Sequence, residues 1–286
     1  MKGKDLLLLV LIFLIVLVFA LFVFVRVIRL NFIFGNTLYV KIDKPIDDDE
    51  IPKLAQWIYE VIDSDKANRI KAVFVEINSP GGSAASSEEM YQALKYAKSK
   101  GKKVIAYIHS IGTSGGYYIA SAADKIVANP TALTGSIGAI IVVPDIVDLS
   151  SKLGVKWDIY KSGENKDLTQ PFRRRTEKDS VLLTELAKDI WKVFLERVAE
   201  SRKRKVEDLL PIADGRILTA QEALKWNLVD TLGTRRDALE ILKKEAKIKK
   251  VSFIQRRERR GLLQRILEGE SLINIGELLK PKAYFL

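Results

Sequence analysis

The sequence predicts an α/β protein with a parallel sheet. Apolar, β-branched runs recur at 36–42, 72–77 and 104–108, stretches of helical period separate them, and glycine turns close the second and third. Strand–helix–strand repetition of this kind argues crossover helices packed on a shared sheet. A chain of 286 residues, 48% hydrophobic, allows one large domain or two small ones with a substantial core.

The first segment stands apart. Leu6 to Val25 is an unbroken apolar run, flanked by Lys2 and Lys4 before it and Arg26 and Arg29 after it. At about 1.5 Å per residue it matches the roughly 30 Å hydrocarbon core of a bilayer. It is long for a cleaved leader and lacks small residues at a cut site, so a retained anchor is expected over residues 1–30. The basic residues on both flanks leave its orientation open.

The core is expected over 36–247. After the strand at 36–42, Pro45 and the aspartates Asp47 to Asp49 break the chain. Ile51, Leu54, Ile58 and Ile62 mark one face of a helix. A buried strand at 72–77 leads into Asn78-Ser-Pro-Gly-Gly-Ser83. A helix over 86–97 follows, with Ser86 and Glu89 spaced as a capping box. The strand at 104–108 runs into Gly112-Thr-Ser-Gly-Gly116, and a helix over 117–123 follows. Further strands are expected at 126–128, 139–143 and 155–160, with a short helix over 144–153. A long helix over 177–202 carries Leu183, Leu186, Ile190, Phe194 and Val198 in one stripe. Thr219 is placed to cap a short helix that Asn227 ends in the left-handed conformation. The last core helix covers 235–247. Residues 248–286 form a tail expected to be basic and amphipathic, from Arg256 to Leu267 above all.

Composition narrows the chemistry. The absence of cysteine removes disulfides, thiolate zinc sites and a cysteine nucleophile. His109 is the single histidine, so a multi-histidine metal site is excluded and a Ser-His-Asp triad would have to use it. The net charge is +11, and residues 240–286 hold 12 Lys and Arg against 6 Asp and Glu. No nucleic-acid motif accompanies this charge, so a membrane surface is the simpler partner.

Ser114 is the candidate nucleophile. It lies between a strand end and a helix start, where free N–H groups and the helix dipole favour a developing negative charge. Capping the helix is the ordinary role of a serine there. The turns Pro80-Gly81-Gly82 and Ser114-Gly115 would both open at the carboxyl edge of a parallel sheet. There the amides of Gly82 or Gly81 and of Gly115 can converge as an oxyanion hole. The base is open: His109 need not face Ser114, and a lysine can serve if burial disfavours its charged form.

Residues 37–246 resemble the signal peptide peptidase A family of Ser-Lys proteases and, more distantly, the Clp protease and crotonase fold. The resemblance rests on Asn78–Ser83, Thr113–Tyr118, Ala122–Ile126, Thr134–Gly138, Lys161–Asp167 and Gly215–Leu224 with Leu228–Asp230. It implies a crotonase-like core of repeated ββα units, with Ser114 as nucleophile, Lys166 as general base and Ser136 orienting the lysine amine. It implies a membrane-anchored endopeptidase with an extracytoplasmic catalytic domain and no metal or organic cofactor. Remnant signal peptides and other membrane-associated peptides are the implied substrates. Homo-oligomeric rings or domes are implied too, with Ser and Lys of one site from neighbouring protomers in short forms. A crotonase-type acyl-CoA enzyme or an inactive oligomeric membrane scaffold would share the fold.

Overall fold

The computed structural model describes residues 12–21, 35–65 and 67–256. Residues 12–21 are helical and exposed. The rest of the expected anchor, and the tail from residue 257, lie outside the described residues. Among the described residues no helix is long and apolar enough to cross a membrane.

The core opens with β1 (Thr37–Ile42), α1 (Glu50–Asp63), β2 (Ala72–Ser79), α2 (Ala84–Ser99), β3 (Lys103–Thr113) and α3 (Gly115–Ser121). Then come β4 (Lys125–Ala128), β5 (Leu133–Gly135), α4 (Val147–Lys152), α5 (Glu177–Arg202) and α6 (Val206–Leu209). The last elements are β6 (Ile217–Thr219), α7 (Ala220–Lys225), β7 (Thr231–Leu232), α8 (Arg235–Ala246) and β8 (Phe253–Ile254). One sheet runs β6-β5-β3-β2-β1-β8, with β4 beside β3 and β7 beside β4. Its pairings are parallel except for β5 with β6. The inner strands β2 and β3 are apolar runs because both faces are covered.

The long strand β3 serves two neighbours. Ile105–Ile108 pair with β4, and Ile111–Thr113 pair with β5. Between them the register slips: Ile77 faces Ile108, but Ser79 faces Gly112. Three residues of β3 thus stand opposite one of β2, a bulge that re-aims the strand end. One face of the sheet carries the main core under α1, α2, α3 and the C-terminal part of α5. The other face carries a smaller core, Phe74, Ile105, Tyr107 and Val127 against Ala238 and Leu242 of α8.

Several sequence expectations change here. Helix α2 starts at Ala84, capped by Ser83, whose hydroxyl accepts from the Ser86 amide. Ser86 is therefore inside the helix, bonded to Asp48, and is not the cap expected from its spacing with Glu89. Thr219 does cap α7 through a reciprocal box with Glu222, and Asn227 is left-handed at φ 57°. Strand β8, where none was expected, pairs with β1, so the sheet extends past Lys247 to Ile254.

The largest change is the segment 139–176. The strands expected at 139–143 and 155–160 do not form; both stretches are irregular. No strand lies beside them among the described residues, and many of their apolar residues stand in the open, Ile140 85% exposed and Tyr160 94% exposed. Helix α5 shares this fate in its first half: Phe194 and Val198 are buried, Leu186 and Ile190 are exposed. The segment is tied to itself. Ile146 donates to the Pro171 carbonyl, Trp157 stacks on Phe172, and Arg174 pairs with Asp148. At its base Asp167 binds Lys161 at 2.8 Å and Arg173 at 3.4 Å, and Arg173 reaches Asp179 at 2.9 Å. Asp179 completes the capping box of α5 with Thr176.

The Thr176 amide, with Arg173 beside it, pulls the Asp179 carboxyl down from 3.8 to about 2. A depressed folded-state pKa gives stability that is present above the unfolded value and lost as pH falls. Asp179→Asn should therefore flatten the acid decline of stability between about pH 4 and pH 2, at the cost of a lower melting temperature at neutral pH. Thermal melts of both proteins across that range check this. Parallel declines would contradict the assignment.

Candidate active site

β3 ends at Thr113 and α3 begins at Gly115, which leaves Ser114 alone in the junction. Its backbone takes φ 52°, ψ −125°. For a residue with a Cβ this costs on the order of 1–3 kcal/mol, and it persists only where the surroundings impose it. Here they do. The Ser114 amide donates to the Gly135 carbonyl at 2.9 Å, and the Ser114 carbonyl accepts from the Tyr118 amide at 2.8 Å. Thr113 hydroxyl donates to the Pro80 carbonyl, and Thr134 hydroxyl donates to the Gly112 carbonyl. The side chain of Ser114 makes no capping hydrogen bond to α3. The ordinary reading of this serine, a helix cap, is thus not what the geometry supports.

The turn after β2 comes up against it. A Cβ on Gly81 would lie 2.7 Å from the Ser114 Cβ and 3.0 Å from its Oγ. Only glycine fits, and its φ of 103° belongs to the same requirement. Gly82 is held by a bridge to Ile46: the Ile46 amide donates to Gly81 O, and the Ser83 amide donates to Ile46 O. In this pairing the Gly82 amide points away from Ile46, whose carbonyl would lie 2.2 Å from any Cβ there. The Gly81 amide already donates to Ser79 Oγ at 3.2 Å. The Gly115 amide, first in α3, has no intrahelical acceptor. Of the three glycines named from the sequence, Gly82 and Gly115 therefore carry the free amides, and Gly81 clears the space.

Ser136 leaves the sheet beside Ser114. Thr113 pairs with Gly135, and the next residue on each strand is a serine with φ 52°. The Ser136 amide donates to the Arg216 carbonyl at 2.8 Å. Lys166 sits elsewhere, exposed on the turns of 161–170 next to buried Asp167. No hydrogen bond joins the Ser114, Ser136 and Lys166 side chains within this one chain, among the described residues. His109 is exposed in the β3 bulge with its ring 6.1 Å from that of Tyr107, which belongs to the core under α8. The helix that follows Ser114 packs on the opposite face of the sheet.

A polar cluster that the sequence reading missed lies behind α3. Glu88 of α2 accepts from Tyr118, from Gln92 and, through both nitrogens of a fork, from Arg197 of α5. Burial opposes its charge, but these donors together hold the carboxyl below its ordinary value. Burial and Glu88 push the Tyr118 hydroxyl up. The cluster locks α3 to α2 and α5 by charge-assisted bonds. Its members lie far apart in sequence, and no local spacing marks them. Among the described residues no group of three or more His, Asp or Glu is placed to hold a metal ion.

The chain is similar to known peptidases. The model of peptidase family S49 matches residues 96–249, more than half of the chain, and that of Clp protease matches residues 35–134. A candidate protease of Methanocaldococcus jannaschii is 32% identical, over 71% of this chain and 65% of its own. A candidate signal peptide peptidase of Enterococcus faecium is 36% identical, over 68% of this chain and 56% of its own. The chloroplastic serine protease SPPA of Arabidopsis thaliana is 31% identical, over 79% of this chain and 34% of its own. The chain thus spans less than two thirds of the length of these relatives. The match over residues 96–249 includes Ser114, its helix and the segment bearing Lys166. The chain belongs to peptidase family S49.

Proposed function

We propose that this chain is a membrane-anchored serine endopeptidase with Ser114 as nucleophile and Lys166 as general base. The observation that carries the reading is the imposed left-handed backbone at Ser114, with its hydroxyl uncommitted to the helix. Ser114 Oγ attacks the peptide carbonyl while the Lys166 amine takes its proton. The tetrahedral oxyanion accepts hydrogen bonds from the Gly82 and Gly115 amides. The C–N bond breaks, and the lysine ammonium gives its proton to the departing amine. Water, deprotonated by the same lysine, then releases the acyl group. Ser136 orients the amine. Remnant signal peptides and fragments of membrane proteins are the proposed substrates, with residues 6–25 as a single-pass anchor and the catalytic domain outside the cytoplasm.

The lysine is supplied by a neighbouring copy of the chain. Lys166 rides on a segment whose hydrogen bonds and ion pairs close within residues 144–180 among the described residues. That segment holds two runs of strand-forming sequence without a partner strand among the described residues, and Ile140, Val142, Leu153, Trp157 and Tyr160 are exposed on it. A ring of protomers would cover them and carry each Lys166 to the next Ser114. An acyl-CoA enzyme of related fold would use the same oxyanion amides but needs no serine in this position.

The dyad is tested by substitution. Ser114→Ala, Lys166→Ala and Lys166→Arg should each lower kcat/KM for a peptide at least ~10³-fold, since a guanidinium cannot accept the proton. Ser136→Ala should cost less, and His109→Ala should leave activity near wild type. An active Lys166→Ala with an inactive His109→Ala would replace the lysine by the histidine. Turnover of acyl-CoA thioesters by Ser114→Ala would favour the rival enzyme class.

Gly81→Ala should cost ~10²-fold or more in kcat with the fold retained, because the added methyl meets Ser114 directly. Full activity in a folded Gly81→Ala would remove this glycine from the site.

Mixing inactive Ser114→Ala with inactive Lys166→Ala should restore activity if one site draws on two chains. No recovery after verified subunit exchange would place both residues in one chain. Carbonate extraction tests the anchor: release of the full chain into the soluble fraction would reject it.

A further inference from the structure

A parallel sheet sorts the molecule into two ends. Ser114 stands at the carboxyl end of β3, whereas the chain enters the core at the amino end of β1. That entry point is clamped. The Asn36 amide donates to Ser252 O at 2.9 Å, the Asn36 side chain donates to Lys250 O at 2.9 Å, and the Ser252 amide returns a bond to the Asn36 side chain. The Lys71 amide donates to Asn36 O, and the Lys103 amide donates to Lys71 O. The strand starts are therefore in register: Thr37 beside Ala72, and Ala72 beside Lys103.

This end of the sheet is basic. Lys71, Lys102 and Lys103 open β2 and β3, and Lys247, Lys249 and Lys250 lie between α8 and β8. None of the six is in an ion pair among the described residues. Asp124, at the start of β4, is engaged elsewhere: it accepts from the Val104 amide and pairs with Lys98. Lys71 and Lys102 are close enough that burial and then Lys71 hold the Lys102 ammonium below its ordinary value. Unpaired cations gathered on one surface favour an anionic partner. From Arg235 to Arg256 the sequence carries eight lysines and arginines against three carboxylates, and of these eight Arg235, Lys243 and Arg256 are in ion pairs. A cleft of about 380 Å³ with Leu239, Val251 and Phe253 in its lining opens among these cations.

We infer that the amino edge of the sheet docks on the headgroups of an anionic bilayer. The inference rests on the anchored reading of residues 6–25. Ten residues, 26–35, lie between Val25 and Asn36, eleven steps with a reach of at most about 40 Å, so an anchored chain keeps this edge within reach of the surface. The tail of the same chain is a poor occupant, because Arg256 to Arg260 is itself basic. Surface attraction worth about 1 kcal/mol per cation near an anionic leaflet adds up over six lysines and fades with salt. The docked edge holds Ser114 the length of β3 away, roughly 30 Å from the headgroups. Substrates then are segments that extend out of the membrane.

The chain has no cysteine, so a single Lys247→Cys in the full-length protein takes one fluorescent label. Acrylamide quenching of that label is compared in proteoliposomes of phosphatidylcholine and of 70:30 phosphatidylcholine and phosphatidylglycerol. The inference predicts at least threefold less quenching in the anionic vesicles, restored by 0.5 M NaCl. A label at Lys188→Cys on α5 should not change, and Lys71→Glu with Lys249→Glu and Lys250→Glu should abolish the difference. Equal quenching in both lipids overturns the inference. So does protection that persists in detergent without lipid, which points to a second copy, or that vanishes when residues 257–286 are removed, which points to the tail. If carbonate releases the protein the anchor fails, and the same comparison with added vesicles still decides the surface.

Discussion

The site depends on one crowded contact. The turn after β2 presses against Ser114 so closely that Gly81 has no room for a methyl group. Ser114 is itself held in a backbone conformation that side chains rarely adopt. Neither condition arises from local preference. The bulge in β3 shifts the strand end by two residues relative to β2, which brings Gly112 opposite Ser79 and carries Ser114 over the Pro80-Gly81 turn. Thr113 then pins Pro80, and Gly135 pins Ser114. The strain is offset by the surrounding bonds, and what it yields is a hydroxyl that does not cap its own helix.

Around this contact the fold divides labour between its two faces and its two ends. The main core fixes α3 through apolar packing, and the Glu88, Tyr118 and Arg197 cluster fixes its rotation. The opposite face, under α8, holds the aromatic stack of Tyr39, Phe74 and Phe253, with Arg235 lying over all three rings and bonded to Glu76. That face carries no part of the candidate site; the exposed His109 lies there with its ring near that of Tyr107. Reactive groups thus collect at the carboxyl edge, and unpaired cations collect at the amino edge.

Much of this was legible in the sequence, for stated reasons. The alternation of strands and helices through residue 128 could be read because β2 and β3 are buried on both sides and the helices are amphipathic. The caps at Thr219 and Asn227 are local chemistry and were readable as such. The glycine turns and Ser114 announced themselves by position. The segment 139–176 defeats such reading because its β-branched runs carry strand preference without a partner strand among the described residues, and Ile140, Val142, Val155 and Ile159 remain exposed. Strand β8 pairs through two residues, too few to leave a period. The start of α2 differs from the expected one because Ser83 and Ser86 both have the chemistry of a cap, and only their bonds distinguish them: the Ser83 hydroxyl accepts from the Ser86 amide, and the Ser86 hydroxyl is taken by Asp48. Lys166 was reached through resemblance alone, since one lysine among 47 basic residues has no spacing to mark it.

The central claim is that this strained serine is the reacting atom. Its most direct measurement is covalent labelling of the full-length protein by a fluorophosphonate, with the adduct located by peptide mass spectrometry. The account predicts one adduct, on Ser114, formed in step with loss of peptide hydrolysis. Hydrolysis that continues with Ser114 fully labelled, or inactivation through an adduct on another residue, would contradict it.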